Sequence, residues 1–163
     1  MSKPRATREQ VTKITEPISS RTEFKRRFSF GELYGSLVSL PAAASGMLRN
    51  KRMAAVDDDF VRRIQLAVTE VNGCAACSYE HTKMALRQGM SGEEISSFLS
   101  GGDAFVKPEE AKGIMFAQHF AESRGHPEAY AYEAIVSEYG EEGARAILAA
   151  ARIMIAGNTI GIP

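Results

Sequence analysis

From about residue 30 to the C-terminus, the apolar side chains recur at helical intervals and nowhere alternate, which confines the chain to a fold built from helices. No internal repeat divides the pattern, so the expectation is an all-α, multi-helix single domain over residues 28–163. A chain of 163 residues is long enough to bury a core without relying on disulfides or metals.

The punctuation between the helices is legible. Residues 30–47 are apolar and rich in small side chains, and Pro41 is expected to divide them into two short helices. Asp57, Asp58 and Asp59 supply an N-cap and first-turn acids for a helix over 58–71, with Phe60, Ile64, Ala67, Val68 and Val71 inward. Asn72-Gly73 stops that helix, and a central helix is expected to start at Cys74 and run to Gln88, closing on Gly89. Ser91 to Glu94 has the form of a capping box for a short helix to about Leu99, and Gly101-Gly102-Asp103 reads as a loop. Pro108 opens a helix to about Ser123, with Ile114, Met115, Ala117, Phe120 and Ala121 inward. Two more helices are expected over 127–139 and 141–156, the last apolar on several faces, as suits a core helix or a subunit contact.

Twenty Lys and Arg balance twenty Asp and Glu, but the charge is unevenly spread. Residues 1–27 carry Lys3, Arg5, Arg8, Lys13, Arg21, Lys25, Arg26 and Arg27 against Glu9, Glu16 and Glu23. With one aromatic, Phe24, and no binding motif, this stretch reads as a solvated, flexible basic arm and not as a nucleic-acid binder. No apolar run is long enough to span a membrane, and the N-terminus lacks the apolar core of a secretory signal, so a cytoplasmic protein is expected, with no membrane partner.

In that setting the two cysteines carry the chemistry. Cys74 and Cys77 are the only ones, three residues apart at the mouth of a helix, a spacing that suits a redox pair or a metal site better than a permanent bridge. Unsatisfied N–H groups of the first helical turn stabilise a thiolate there. His81 lies on the same stripe, four residues past Cys77, where one imidazole could serve both thiols as proton partner. Glu70, four residues before Cys74, is placed to orient that histidine or relay its proton; a solvated surface role is the competing reading. Two other function classes remain open on the residues alone: a metal-binding module with Cys74, Cys77 and His81 as ligands, and a non-catalytic protein that oligomerises through its last helix.

The run from Glu70 through Asn72-Gly73-Cys74-Ala75-Ala76-Cys77-Ser78-Tyr79-Glu80-His81, continuing to Gly89-Met90-Ser91-Gly92-Glu93-Glu94-Ile95, resembles the alkylhydroperoxidase D (AhpD)-like branch of the carboxymuconolactone decarboxylase family. The likeness extends more loosely from about residue 40 to the C-terminus. It implies an all-helical subunit that forms homo-oligomers, trimers or hexamers, around a redox dithiol with no bound cofactor. The implied substrates are a hydroperoxide or a protein disulfide, and the implied electron source is an external dithiol reductant, with a peroxiredoxin as a possible partner. Carried onto this chain, Cys77 would attack the peroxide, Cys74 would resolve, and His81 would belong to the proton relay. The thiol nearer the helix mouth, Cys74, should by contrast have the lower pKa, so the division of labour stays open. A carboxymuconolactone decarboxylase-like activity is the alternative the wider family offers, although its true decarboxylases typically lack the cysteine pair. Two positions depart from the pattern: Arg62 stands where the best-known members carry a relay glutamate, and Ala76 where they often have a histidine. Glu70 is the candidate replacement for the missing carboxylate.

Overall fold

The computed structural model describes residues 7–19 and 26–161. Among them are seven α-helices and no strand: α1 (Arg8–Ser19), α2 (Phe30–Met53), α3 (Asp58–Asn72), α4 (Ala75–Gln88), α5 (Gly92–Leu99), α6 (Ala111–Glu122) and α7 (Ala129–Gly161). A 3-10 turn, Pro108–Glu110, leads into α6. The chain is all-α, and none of its described helices is long and apolar enough to cross a membrane.

Helix α3 forms the middle of the fold. It packs against α4, α5, α6 and α7, while α2 lies along α7 and α1 lies across α4 and α5. Its sequence explains its placement: Phe60, Ile64, Leu66 and Val68 are buried on several sides, leaving little of the helix for solvent. Around them close Ile95, Phe98 and Leu99 of α5, Ile114, Phe116 and Phe120 of α6, and Ile135, Ile147 and Met154 of α7. Met115, expected inward, is exposed, because its neighbours Ile114 and Phe116 occupy the faces turned to the core.

Arg63 of α3 is also buried, between two carboxylates. Its NH2 lies 2.7 Å from Glu94 of α5, and its NH1 donates to Glu110 of the 3-10 turn at 3.0 Å. This pairing ties three segments through one guanidinium, whose charge would be costly to bury alone.

The helix ends follow the chemistry read from the sequence. Asp57 Oδ1 accepts from the Phe60 N–H at 2.7 Å at the start of α3, and Ser91 Oγ accepts from the Glu94 N–H at 3.1 Å at the start of α5. Helix α7 is broken at Gly140, between the two helices expected there, but its second half continues past residue 156. The reason is polar: Asn158 is fully buried and accepts from Asn72 Nδ2 at 2.8 Å, anchoring an extra turn.

Two expectations are corrected. Residues 30–53 form one helix through Pro41, not two. The proline removes one backbone donor, but a Ser29–Glu32 capping box secures one end and α7 supports the length. Within the stretch expected as a flexible arm, residues 8–19 form α1, with Val11 and Thr15 buried. Thr7 and Gln10 cap that helix reciprocally: the Thr7 N–H donates to Gln10 Oε1 at 3.0 Å and the Gln10 N–H to Thr7 Oγ1 at 3.3 Å. Residues 1–6 and 20–25 of the arm lie outside the described residues.

Candidate active site

The break between α3 and α4 builds the site. Gly73 takes a left-handed conformation, φ 69°, and its N–H closes the end of α3 on the Thr69 and Glu70 carbonyls. That turn delivers Cys74 to the N-cap of α4, where its sulfur accepts the Cys77 N–H at 3.2 Å, as a serine oxygen would. The two cysteines, 5.3 Å apart at Cα, are joined in a disulfide. They differ in access: Cys74 is fully buried and Cys77 partly exposed.

The end of α7 closes over the pair. Cys77 Sγ lies 3.6 Å from the Gly157 carbonyl oxygen, within reach of a thiol S–H once the bond is reduced. Gly161 sits so near that a Cβ placed on it would be 2.9 Å from both sulfurs. A Gly161→Val variant is therefore expected to displace the last turn of α7 and to speed reduction of the disulfide by excess dithiothreitol several-fold, followed by thiol titration. An unchanged rate would contradict the close cover.

Asn72, which the sequence marks only as a helix breaker, holds this junction together. Besides its bond to Asn158, its Oδ1 accepts from Arg26 NH1 at 3.1 Å, and the same guanidinium bonds the Ala121 and Glu122 carbonyls at the end of α6. The link spans residues distant in sequence, so local pattern could not show it.

His81 lies on α4 one turn beyond Cys77, as its spacing predicts. Its Nδ1, however, faces Arg62, whose NH1 donates to it at 3.0 Å, and no hydrogen bond among the described residues joins the imidazole to either sulfur. Burial first, and the Arg62 charge second, push the His81 pKa down to about 4. At neutral pH this ring is uncharged. Glu70, the expected replacement carboxylate, lies farther along α3 with its Oε1 3.5 Å from where a Cβ on Gly101 would sit. The group on the histidine is Arg62, at the very position where the sequence departs from the family pattern.

No three His, Cys, Asp or Glu side chains come together as metal ligands among the described residues, so Cys74, Cys77 and His81 do not form the ligand set considered above. The sulfurs are bonded to each other and the imidazole nitrogen nearest a cation is already engaged.

Neither the curated proteins nor the solved structures contain a match to this chain. A family model does match, over residues 51–117, which run from the end of α2 into α6 and include Arg62, Glu70, both cysteines and His81. Over that stretch the chain is similar to the carboxymuconolactone decarboxylase family.

Proposed function

We propose that this protein is a thiol-dependent oxidoreductase of the AhpD-like kind, reducing a hydroperoxide or a protein disulfide through Cys74 and Cys77. The observation that carries this reading is the unequal disulfide at the mouth of α4: one sulfur buried as the helix cap, the other open on one side.

The cycle follows from that inequality. In the dithiol form the Cys77 thiolate, the accessible sulfur, attacks a hydroperoxide; an S–O bond forms, the O–O bond breaks, and the alkoxide leaves and takes a proton to become the alcohol. Cys74, held with its sulfur on the Cys77 N–H and stabilised as a thiolate by the helix N-terminus, attacks the sulfenic acid and expels water, giving the disulfide. An external dithiol then attacks Cys77, the reachable sulfur, and Cys74 is the leaving group. The external dithiol ends as a disulfide, and no bound organic cofactor is required. With a protein disulfide in place of the hydroperoxide, the Cys77 thiolate would attack one of its sulfurs and Cys74 would resolve the mixed disulfide, releasing the reduced protein and leaving the same Cys74–Cys77 disulfide.

The dithiol supply fits a cytoplasmic setting. A homo-oligomer fits the surface: Phe30, Tyr34, Leu37, Val38 and Leu48 leave an exposed apolar face along α2. The activity is tested by following tert-butyl hydroperoxide consumption with dithiothreitol as electron donor. Consumption that scales with protein and requires the dithiol supports the reading; a rate no faster than dithiothreitol alone, together with no reduction of a model protein disulfide, contradicts it.

A further inference from the structure

Arg62 is a buried cation that pairs with no carboxylate among the described residues. Its Nε donates to Gln88 Oε1 at 2.9 Å, and its NH1 donates to Gln65 Oε1 at 2.6 Å and to His81 Nδ1 at 3.0 Å. Burial lowers its pKa, and Asp58 on the same helix partly offsets that. A guanidinium held by neutral acceptors is electrostatically expensive, so its contacts are informative.

One of those contacts decides the state of the histidine. Arginine offers only donors and stays protonated, so Nδ1 must present its lone pair and the ring proton must sit on Nε2. We propose that Arg62 is a positioning residue that holds His81 as the neutral Nε2–H tautomer, making the imidazole a hydrogen-bond donor to the anion that develops during turnover and not the base that removes a thiol proton. This rests on the thiol-dependent reading above. When the O–O bond breaks, the electron pair goes to the departing oxygen; Nε2–H is the donor that steadies it, and water supplies the proton that completes the alcohol. Thiolate formation then falls to the N-terminus of α4.

The arrangement also explains why a carboxylate is absent at position 62. An acid there would accept from Nδ1–H, reverse the tautomer and raise the histidine pKa. Among the described residues, the charges acting on the imidazole are Arg62 of α3 and Glu80 of α4; α1, α5 and α7, which also pack against α4, add none.

The test is nitrogen NMR of the histidine ring in the full-length protein, beside kcat/KM against pH for tert-butyl hydroperoxide with dithiothreitol. In the native protein His81 is expected to carry its proton on Nε2, to titrate near 4 and to leave no ionisation in the profile between about pH 5 and 8. Arg62→Glu should move the proton to Nδ1, raise the midpoint by about 2 units or more and introduce an ionisation at that midpoint. Arg62→Gln, which removes the charge but keeps an N–H donor, should raise the midpoint while leaving the tautomer unchanged. A native ring protonated on Nδ1, or titrating near 6.5, overturns the proposal, as does an Arg62→Glu ring that keeps both tautomer and midpoint. The NMR result is independent of turnover, so native-like spectra without hydroperoxide consumption would count against the oxidoreductase reading and the donor role, leaving the Arg62–His81 contact standing.

Discussion

Cys77→Ser is expected to lower dithiol-dependent hydroperoxide turnover by on the order of 10³-fold or more, because in the proposed cycle it removes the attacking sulfur. Cys74→Ser should behave differently. Its Cys77 still attacks, so one equivalent of hydroperoxide is consumed rapidly and Cys77 accumulates as sulfenic acid or as a mixed disulfide with the reductant. The fold should survive both changes: serine is a good N-cap at position 74, and position 77 is partly exposed. Stopped-flow consumption of the first equivalent separates the two variants. If Cys77→Ser kept the rapid first equivalent and Cys74→Ser lost it, the division of labour proposed from access would be reversed, and the lower thiol pKa at the helix mouth would govern instead.

The largest effect on stability is expected at Arg63. Arg63→Ala leaves Glu94 without its cation and Glu110 with only Lys107, 3.4 Å away and half-exposed, and the cost should be about 3 kcal/mol in denaturant unfolding. Arg49→Ala provides the contrast, since its pair with Glu142 is more than half exposed on the arginine side and should contribute less than about 1 kcal/mol. Equal losses from the two substitutions would show that the buried arginine is no more important than a surface one. The difference matters for the site, because Arg63 fixes α3 to α5 and to the entry of α6, and α3 carries both Arg62 and the Gly73 turn that presents Cys74.

The parts of this structure that local chemistry determines were readable in the sequence. Asp57, Gly73, Gly89 and Ser91 end or begin helices where their side chains and backbone freedom require, and Gly140 breaks α7 between the two helices expected there. Cys74 and Cys77 share a helical turn because three residues separate them. What could not be read depended on partners far along the chain. Helix α1 reads from sequence as part of a flexible arm, because its stripe of Val11 and Thr15 is a short one in a basic stretch, intelligible only once α4 and α5 cover it. Pro41 suggested a break because the support from α7 is tertiary. Arg62 stood out as a departure from a family pattern, yet an arginine in a helix ordinarily reads as solvent-facing; its contact with His81 exists only because α4 folds back against α3. Gly161 and Asn158 belong to the site by the same long-range route, from the far end of the last helix.

The position of His81 shows the difference between spacing and chemistry. Its distance along α4 correctly placed it one turn beyond Cys77, but a histidine's function depends on which ring nitrogen is free. Arg62 occupies Nδ1, and burial holds the ring neutral, so the proton-accepting role suggested by spacing gives way to a donor role in the mechanism proposed above.

The central claim, a dithiol cycle in which Cys77 meets the oxidant and Cys74 resolves it, is tested most directly by mass spectrometry of the reduced protein before and after a single-equivalent pulse of hydroperoxide, with a sulfenic-acid trap present in a parallel Cys74→Ser sample. The expected result is loss of two hydrogens through one Cys74–Cys77 disulfide in the native protein, and a trapped adduct on Cys77 in the variant. Two unreacted thiols after the pulse, with no adduct on either cysteine, would contradict the account.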